Sequence, residues 1–296
     1  MRRVVQPISQ TVAVSDGEPL VVHGADGARP DQLIVFVHGL NGHQYKTWGN
    51  FPQLFLDCKR EDVGLYGYKS GFARIGHLTA RFDHQTEELA HQLRDCDYSQ
   101  IVLVGHSMGG LLCLGAIRHL IDTGASTAIH KIAGIVLVGT PQAGSTRVPF
   151  WARWMSPDLK LLAAHSVALL EIQRRFTDHV VASMFEQSYG RRFTIPTFAV
   201  IGTTDLWVDD MSSTLRVPSD QVKRVTGSHT DISKPADADN VAFRFTRDRV
   251  SASLDFHRKS EAARDSIQKR LSTLVSENFQ GIEQQLANSM IGVEPK

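Results

Sequence analysis

Apolar positions fall into two alternating patterns along this chain. Leu33–Val37 (LIVFV), Ile101–Val104 (IVLV), Ile132–Val138 (IAGIVLV) and Thr197–Ile201 (TFAVI) are short, continuous apolar runs rich in β-branched residues. Such runs read as strands buried on both faces. Between them the period lengthens. Phe82, Leu89 and Leu93 share one side of a helix over 79–94, with charges on the other. Leu111, Leu112, Leu114, Ile117, Leu120 and Ile121 recur at helical spacing after Met108, and a short helix is expected near Phe51–Leu56. Further short strands are expected around Val4–Val14, Leu20–His23, Asp62–Tyr68 and Val222–Val225. The first two form an antiparallel edge, with turns at Asp16-Gly17 and Asp26-Gly27. Wholly apolar strands alternating with helices predict an α/β fold with a mostly parallel central sheet covered on both faces.

Chemistry enters at residues 100–110, QIVLVGHSMGG. Ser107 stands between Gly105 and Gly109 where the strand gives way to the helix. Gly-x-Ser-x-Gly in a strand–turn–helix context is the pattern of a nucleophile elbow. The sharp turn lifts the hydroxyl above the sheet, and Cβ atoms two residues to either side would collide with neighbouring backbone. The helix that follows directs N–H groups toward developing negative charge. In open parallel sheets, functional groups gather at the carboxyl ends of the strands. Ser107, the His38-Gly39 turn, the GTPQAGS loop at 139–145, Asp205 and His229 each follow a predicted strand directly, so all five meet on one edge.

A serine hydroxyl needs a general base, and the base needs an acid to hold it. Around an elbow of this kind the chain order is Ser, then Asp or Glu, then His. With 13 histidines present, position has to decide. His229 is the only histidine between His179 and His257, and it follows the last predicted strand on a Gly-Ser loop, which makes it the candidate base. His106 adjoins the serine but must point away across the turn. His38 reads as support for an oxyanion loop. Asp205 is the first carboxylate after the strand ending at Ile201 and is the candidate acid; Asp209 is the second choice, and Asp231 is too close to His229 to reach its far nitrogen. Residues 139–157 hold no Asp or Glu, which argues against an acid one strand earlier. The oxyanion hole needs two backbone donors, assigned to Met108 and Leu40.

Composition narrows the setting. The 296 residues, 42% hydrophobic and 21% charged, are enough for a substantial core. A net charge of +1 implies no polyanionic partner, so no nucleic acid is expected. No apolar run approaches the roughly 20 residues that span a membrane, and MRRVVQPISQ lacks the apolar stretch of a secretory signal. Cys58, Cys96 and Cys113 form no metal or redox motif, and a reducing, cytoplasmic setting is expected. His84 and His91 share a helix face, but no carboxylate–cysteine cluster completes a site around them. Neither a metal nor a cofactor is expected.

Taken in order, VFVHGLNGHQYKTWG, GHSMGG, GTPQAGS, GTTDLWV and GSHTDISKP resemble the α/β-hydrolase lipase-like serine esterases over roughly residues 30–240. The likeness is greatest to the branch with the GPI inositol-deacylase and the serine-active-site-containing proteins. It implies an α/β-hydrolase domain over 1–240 and hydrolysis of a carboxylic ester, of a lipid or other apolar acyl substrate, by Ser107, Asp205 and His229. Many relatives carry His where this chain has Gln142, a position outside the triad. In such folds the insertion at 146–193, with Phe150, Trp151, Trp154, Met155, Leu161, Leu162, Leu169, Leu170 and Phe176, lies where a helical cap covers the site. It reads either as a lipid-facing lid able to touch a membrane surface or as helices that simply cover the sheet. Residues 241–296 form a charged helical extension with an apolar stripe of Ile267, Leu271, Leu274, Phe279, Ile282 and Leu286. That stripe either packs on the body or mediates self-association. Two rival readings stand beside ester hydrolysis. One is acyl transfer on the same residues; the other is a binding or signalling module that keeps the fold without turnover.

Overall fold

Strands without polar residues have to be covered on both sides, and the computed structural model of the chain shows how this is done. It describes residues 19–24, 31–68, 79–144, 167–184, 192–206, 208 and 217–291. The strand expected at Val4–Val14 lies outside them, as do Phe150, Trp151, Trp154, Met155, Leu161 and Leu162 of the insertion.

Among the described residues the strands are β1 (Leu20–His23), β2 (Gln32–Val37), β3 (Asp62–Tyr66), β4 (Gln100–His106), β5 (Ile132–Val138), β6 (Val180–Val181), β7 (Phe193–Thr194), β8 (Thr197–Gly202) and β9 (Val222–Val225). Seven form one sheet in the order β1-β3-β2-β4-β5-β8-β9. Every neighbouring pair is parallel except β1 with β3, the expected antiparallel edge. The strand carrying the serine is central, between β2 and β5. A register shift between Ile101 and Val102 interrupts its ladder with β5.

The helices are α1 (Phe51–Asp57), α2 (Thr79–Asp95), α3 (Met108–Asp122), α4 (Ser126–His130), α5 (Val167–His179) and α6 (Val241–Ile291). The two-residue period of the strands sorts their side chains into two cores. Leu33, Val35 and Val37 face α2, α3 and α5, in a core with Leu89, Leu112 and Phe176. Ile34 and Phe36 face the other way, onto Phe51 and Phe55 of α1 and Phe243 of α6. Helix α3 is buried all round from Met108 to Ile117, which explains the absence of polar side chains over that stretch.

Two boundaries differ from the sequence reading. Strand β3 ends at Tyr66 rather than Tyr68, because Gly67 and Tyr68 leave the sheet and Tyr68 stacks on His38. The body also runs past residue 240, because Ala242, Phe243, Val250 and Leu254 are buried in the second core, and the first compact unit extends to Leu254. The second unit, Asp255–Lys296, exposes Ile267, Leu271, Leu274, Val275, Phe279 and Ile282. The side chain of Leu286 lies outside the described residues. Within the insertion, α5 buries Leu169, Ile172 and Phe176 in the first core and leaves Val167 and Leu170 exposed.

Candidate active site

The junction of β4 and α3 holds Ser107 at φ 54° and ψ −125°, a left-handed conformation that a non-glycine residue adopts only when its surroundings impose it. Two glycines allow the turn. A Cβ on Gly109 would run into the carbonyl oxygens of Val37 and His38, and one on Gly105 into the backbone of Gly110. The strained residue is tied to the sheet by Ser107 N–H donating to Val138 O at 2.9 Å. Its helix starts without a side-chain cap. The first N–H groups of α3, Met108 among them, therefore point beyond the helix end with no helical carbonyl to meet.

The loop after β2 approaches from the other side. A Cβ on Gly39 would stand 2.8 Å from Ser107 Cβ, so this backbone lies directly against the serine. Gly39 O accepts from Gly42 N–H at 3.0 Å, closing a tight turn whose third residue, Asn41, has φ 54°. His38 Nδ1 also lies 2.9 Å from Gly39 O and donates to it. A trans peptide directs its N–H opposite to its C=O. Two donors on the Gly39 carbonyl thus fix the direction of Leu40 N–H. His38 is itself held: its Nε2 accepts from Tyr68 N–H at 3.4 Å, Tyr68 Oη donates to His38 O at 2.7 Å, and the rings stack 4.3 Å apart. These bonds require a neutral ring with its proton on Nδ1. Burial pushes the His38 pKa down to about 4, against a weaker upward pull from the Gly39 bond.

The third approach is the loop after β9. His229 Nδ1 lies 2.7 Å from Asp205 Oδ2. Asp205, on the turn after β8, has a side chain only 1% exposed, and His229 14%. Asp205 Oδ1 accepts from Val208 N–H at 3.1 Å, which fixes the carboxylate plane. Asp231 is turned to its own loop, accepting from Ser228 Oγ at 2.6 Å and Ser228 N–H at 2.9 Å, and these bonds lower its pKa. Asp209 lies outside the described residues. Among the described residues no hydrogen bond joins the Ser107 hydroxyl to His229; a nucleophile–base contact is commonly looser before substrate binds.

His106 bridges the serine to this loop. Its Nε2 donates to His229 O at 2.9 Å, with the rings 4.8 Å apart. Complete burial, reinforced by the neighbouring His229, pushes its pKa down to about 3. Ser233 Oγ, within 3.1 Å of Thr47 O, links the same loop to the one after β2. The sequence reading missed Tyr68 and the bridging role of His106. Nothing local marks either, since their partners lie 30 and 123 residues away.

The chain matches the model of the Alpha/beta hydrolase family over residues 34–264. No curated protein matches it. Among solved structures it is similar to the mature form of a lipase from Bacillus licheniformis, with a TM-score of 0.56 and 16% identity over 79% of this chain and 99% of that one. A monoacylglycerol lipase of Paleococcus ferrophilus is similar with a TM-score of 0.51 and 16% identity, over 80% and 98%. A lipase-esterase related protein from Clostridium acetobutylicum gives 0.50 and 14%, over 79% and 99%. At these identities the likeness is one of fold.

Proposed function

Because this chain belongs to the alpha/beta hydrolase family, we propose that it hydrolyses carboxylic esters through an acyl-Ser107 intermediate. The observation that carries this reading is the 2.7 Å bond between His229 Nδ1 and buried Asp205, on the loops that flank a strained serine. A carboxylate only accepts, so Nδ1 carries the proton and Nε2 is left with its lone pair for the serine. In the reaction Ser107 Oγ bonds to the ester carbonyl carbon while its proton passes to His229 Nε2. The oxyanion forms against Leu40 and Met108 N–H, donors fixed before substrate arrives. The carbon–oxygen bond to the alcohol breaks as His229 returns the proton to the leaving oxygen. Water then attacks the acyl-enzyme, gives its proton to His229 and releases the acid, with Ser107 restored.

An apolar acyl substrate, and contact with a membrane surface through the 146–193 cap, are supported by the insertion's aromatic and leucine content and by exposed Val167 and Leu170. Among the described residues no helix is long and apolar enough to cross a membrane. The quoted motif blocks support placement near the GPI inositol-deacylase branch. A reducing, cytoplasmic setting is supported by the wide spacing of Cys58, Cys96 and Cys113, which forms no paired framework in the sequence. Self-association through α6 is supported by its exposed stripe. Along the stripe from Ile267 to Ile282, Arg264, Lys269 and Arg270 lie toward the start, with Asp265 among them, and Glu277 and Glu283 toward the end, which suits antiparallel pairing with a second copy.

A fluorophosphonate probe tests the central claim. It should label wild type and not Ser107→Ala, and the variant should lose ester turnover by on the order of 10⁴–10⁶ while staying folded. Labelling or turnover that survives in folded Ser107→Ala would remove the serine from the reaction. A chain-length series of esters then separates a lipid-like acyl site, where each CH₂ improves kcat/KM, from a small-ester one.

A further inference from the structure

We propose that Glu87, His91 and His119 form a binding site for a divalent transition metal of the Zn²⁺ type on the outer seam between α2 and α3. The sequence reading expected no metal here, because His84 and His91 share a helix face with no carboxylate–cysteine cluster to add a further partner. The fold supplies one from α3. One ligand atom from each of the three residues lies within 4.8 Å of the other two. Glu87 and His91 are four residues apart, so they stand one turn apart on the same helix face. The His91 and His119 rings meet edge-on, 6.0 Å between centroids at 79°.

The seam that presents them is rigid. Gly115 lies one turn before His119, and a Cβ there would stand 2.5 Å from Thr86 Cγ2, beside Glu87 on α2. Leu89, Ala90 and Leu93 of α2 share one core with Leu112, Ala116 and Leu120 of α3. The two backbones are therefore fixed by packing. His91 and His119 sit half-buried at the rim of this interface and Glu87 sits exposed just outside it.

The donor set selects the ion. Two imidazole nitrogens and one carboxylate suit Zn²⁺, Co²⁺ or Ni²⁺, whereas Ca²⁺ and Mg²⁺ prefer oxygen ligands alone. Tetrahedral zinc with bonds of about 2.0–2.1 Å needs ligand atoms roughly 3.3 Å apart. The ligand atoms now lie up to 4.8 Å apart, so binding requires the three side chains to rotate inward around the ion. The fourth position faces solvent and takes water. The bound ion would clamp α2 to the helix that follows Ser107. Its role is structural, and it is independent of the proposed ester chemistry.

The test uses the full chain stripped of metal by a chelator. Equilibrium dialysis should find one Zn²⁺ per chain, and saturating Zn²⁺ should raise Tm by on the order of 5 °C. Both effects should vanish in His119→Ala and weaken in Glu87→Gln. They should persist in His84→Ala, which removes a histidine of α2 outside the cluster, and in His229→Ala, which removes the histidine–carboxylate pair of the candidate active site. Sub-stoichiometric binding to wild type, or binding unchanged in folded His119→Ala, would overturn the site. Should His119→Ala fail to fold, His91→Gln and Glu87→Ala ask the same question from the outer rim of α2, and Zn²⁺ retained by both would equally overturn it.

Discussion

Three histidines and two aspartates crowd the edge that carries Ser107, and their hydrogen bonds tell them apart. His38 and His106 each spend a ring N–H on a backbone carbonyl and are held neutral by burial, so neither has a base's freedom to take a proton. His229 alone pairs with a buried carboxylate. The same test separates the acids, since Asp231 is engaged with Ser228 while Asp205 is engaged with His229. Asp205→Asn should therefore lower kcat by on the order of 10³–10⁴, because the amide no longer holds the tautomer that leaves Nε2 free. Asp231→Asn should cost less than about tenfold, since it touches only the loop's own turn. Steady-state kinetics on purified, folded variants decide the matter, and the reverse ranking would move the acid to Asp231. At this scale chain order and spacing were enough to single out Ser107, Asp205 and His229 as candidates, and the fold brings the last two into hydrogen-bond contact. The sequence was illegible for Tyr68, because stacking on His38 depends on where β3 stops. It was illegible too for His119, whose neighbours lie on another helix.

Elements were most legible where burial is most complete. Strands β2, β4 and β5 contain almost nothing but apolar residues because both faces are covered, and that signal needs no partner to be read. The end of the body was harder. Helix α6 runs without interruption from Val241 to Ile291, and no Pro or capping signal marks the point where its buried face ends. Apolar residues continue at helical spacing on both sides of Leu254: Ala242, Phe243 and Val250 before it are buried, and Ile267, Leu271 and Leu274 after it are exposed. Mutation separates the two halves. Phe243 is fully buried, with its ring 5.2 Å from Phe55 and 6.0 Å from Phe51. Phe243→Ala should cost about 3–5 kcal/mol through lost burial and the cavity left behind. Leu274→Ala, at a position 53% exposed, should stay within about 0.5 kcal/mol in dilute protein. Urea unfolding of both variants checks this, and equal costs would show that the second half of the helix is as buried as the first.

For the whole molecule, the histidines that shape the site also set how stability depends on pH. In the fold His38 titrates at about 4 and His106 at about 3, both pushed down first by burial. In the unfolded chain an imidazole titrates near about 6.5. Between these values the unfolded chain binds more protons than the folded one, so stability falls as pH falls. The contribution is complete above about pH 7, erodes from about 6.5 downward, and is exhausted only near the folded values. Each histidine adds a slope of up to about 1.4 kcal/mol per pH unit, so the pair together should remove about 4 kcal/mol between pH 7 and 5. The depressed pKa of Asp231 acts in the same direction at lower pH, because its bonds to Ser228 are lost on protonation. His106→Gln assigns the effect. A glutamine amide can still donate to His229 O but takes up no proton, so the slope between pH 6 and 5 should fall to about half even if the variant is less stable overall. Urea midpoints at pH 7, 6 and 5 measure both profiles. A flat wild-type profile, or an unchanged slope in His106→Gln, would mean that the charge under the His229 loop is accommodated in the fold. Burial of the two histidines would then not be what makes the molecule sensitive to acid.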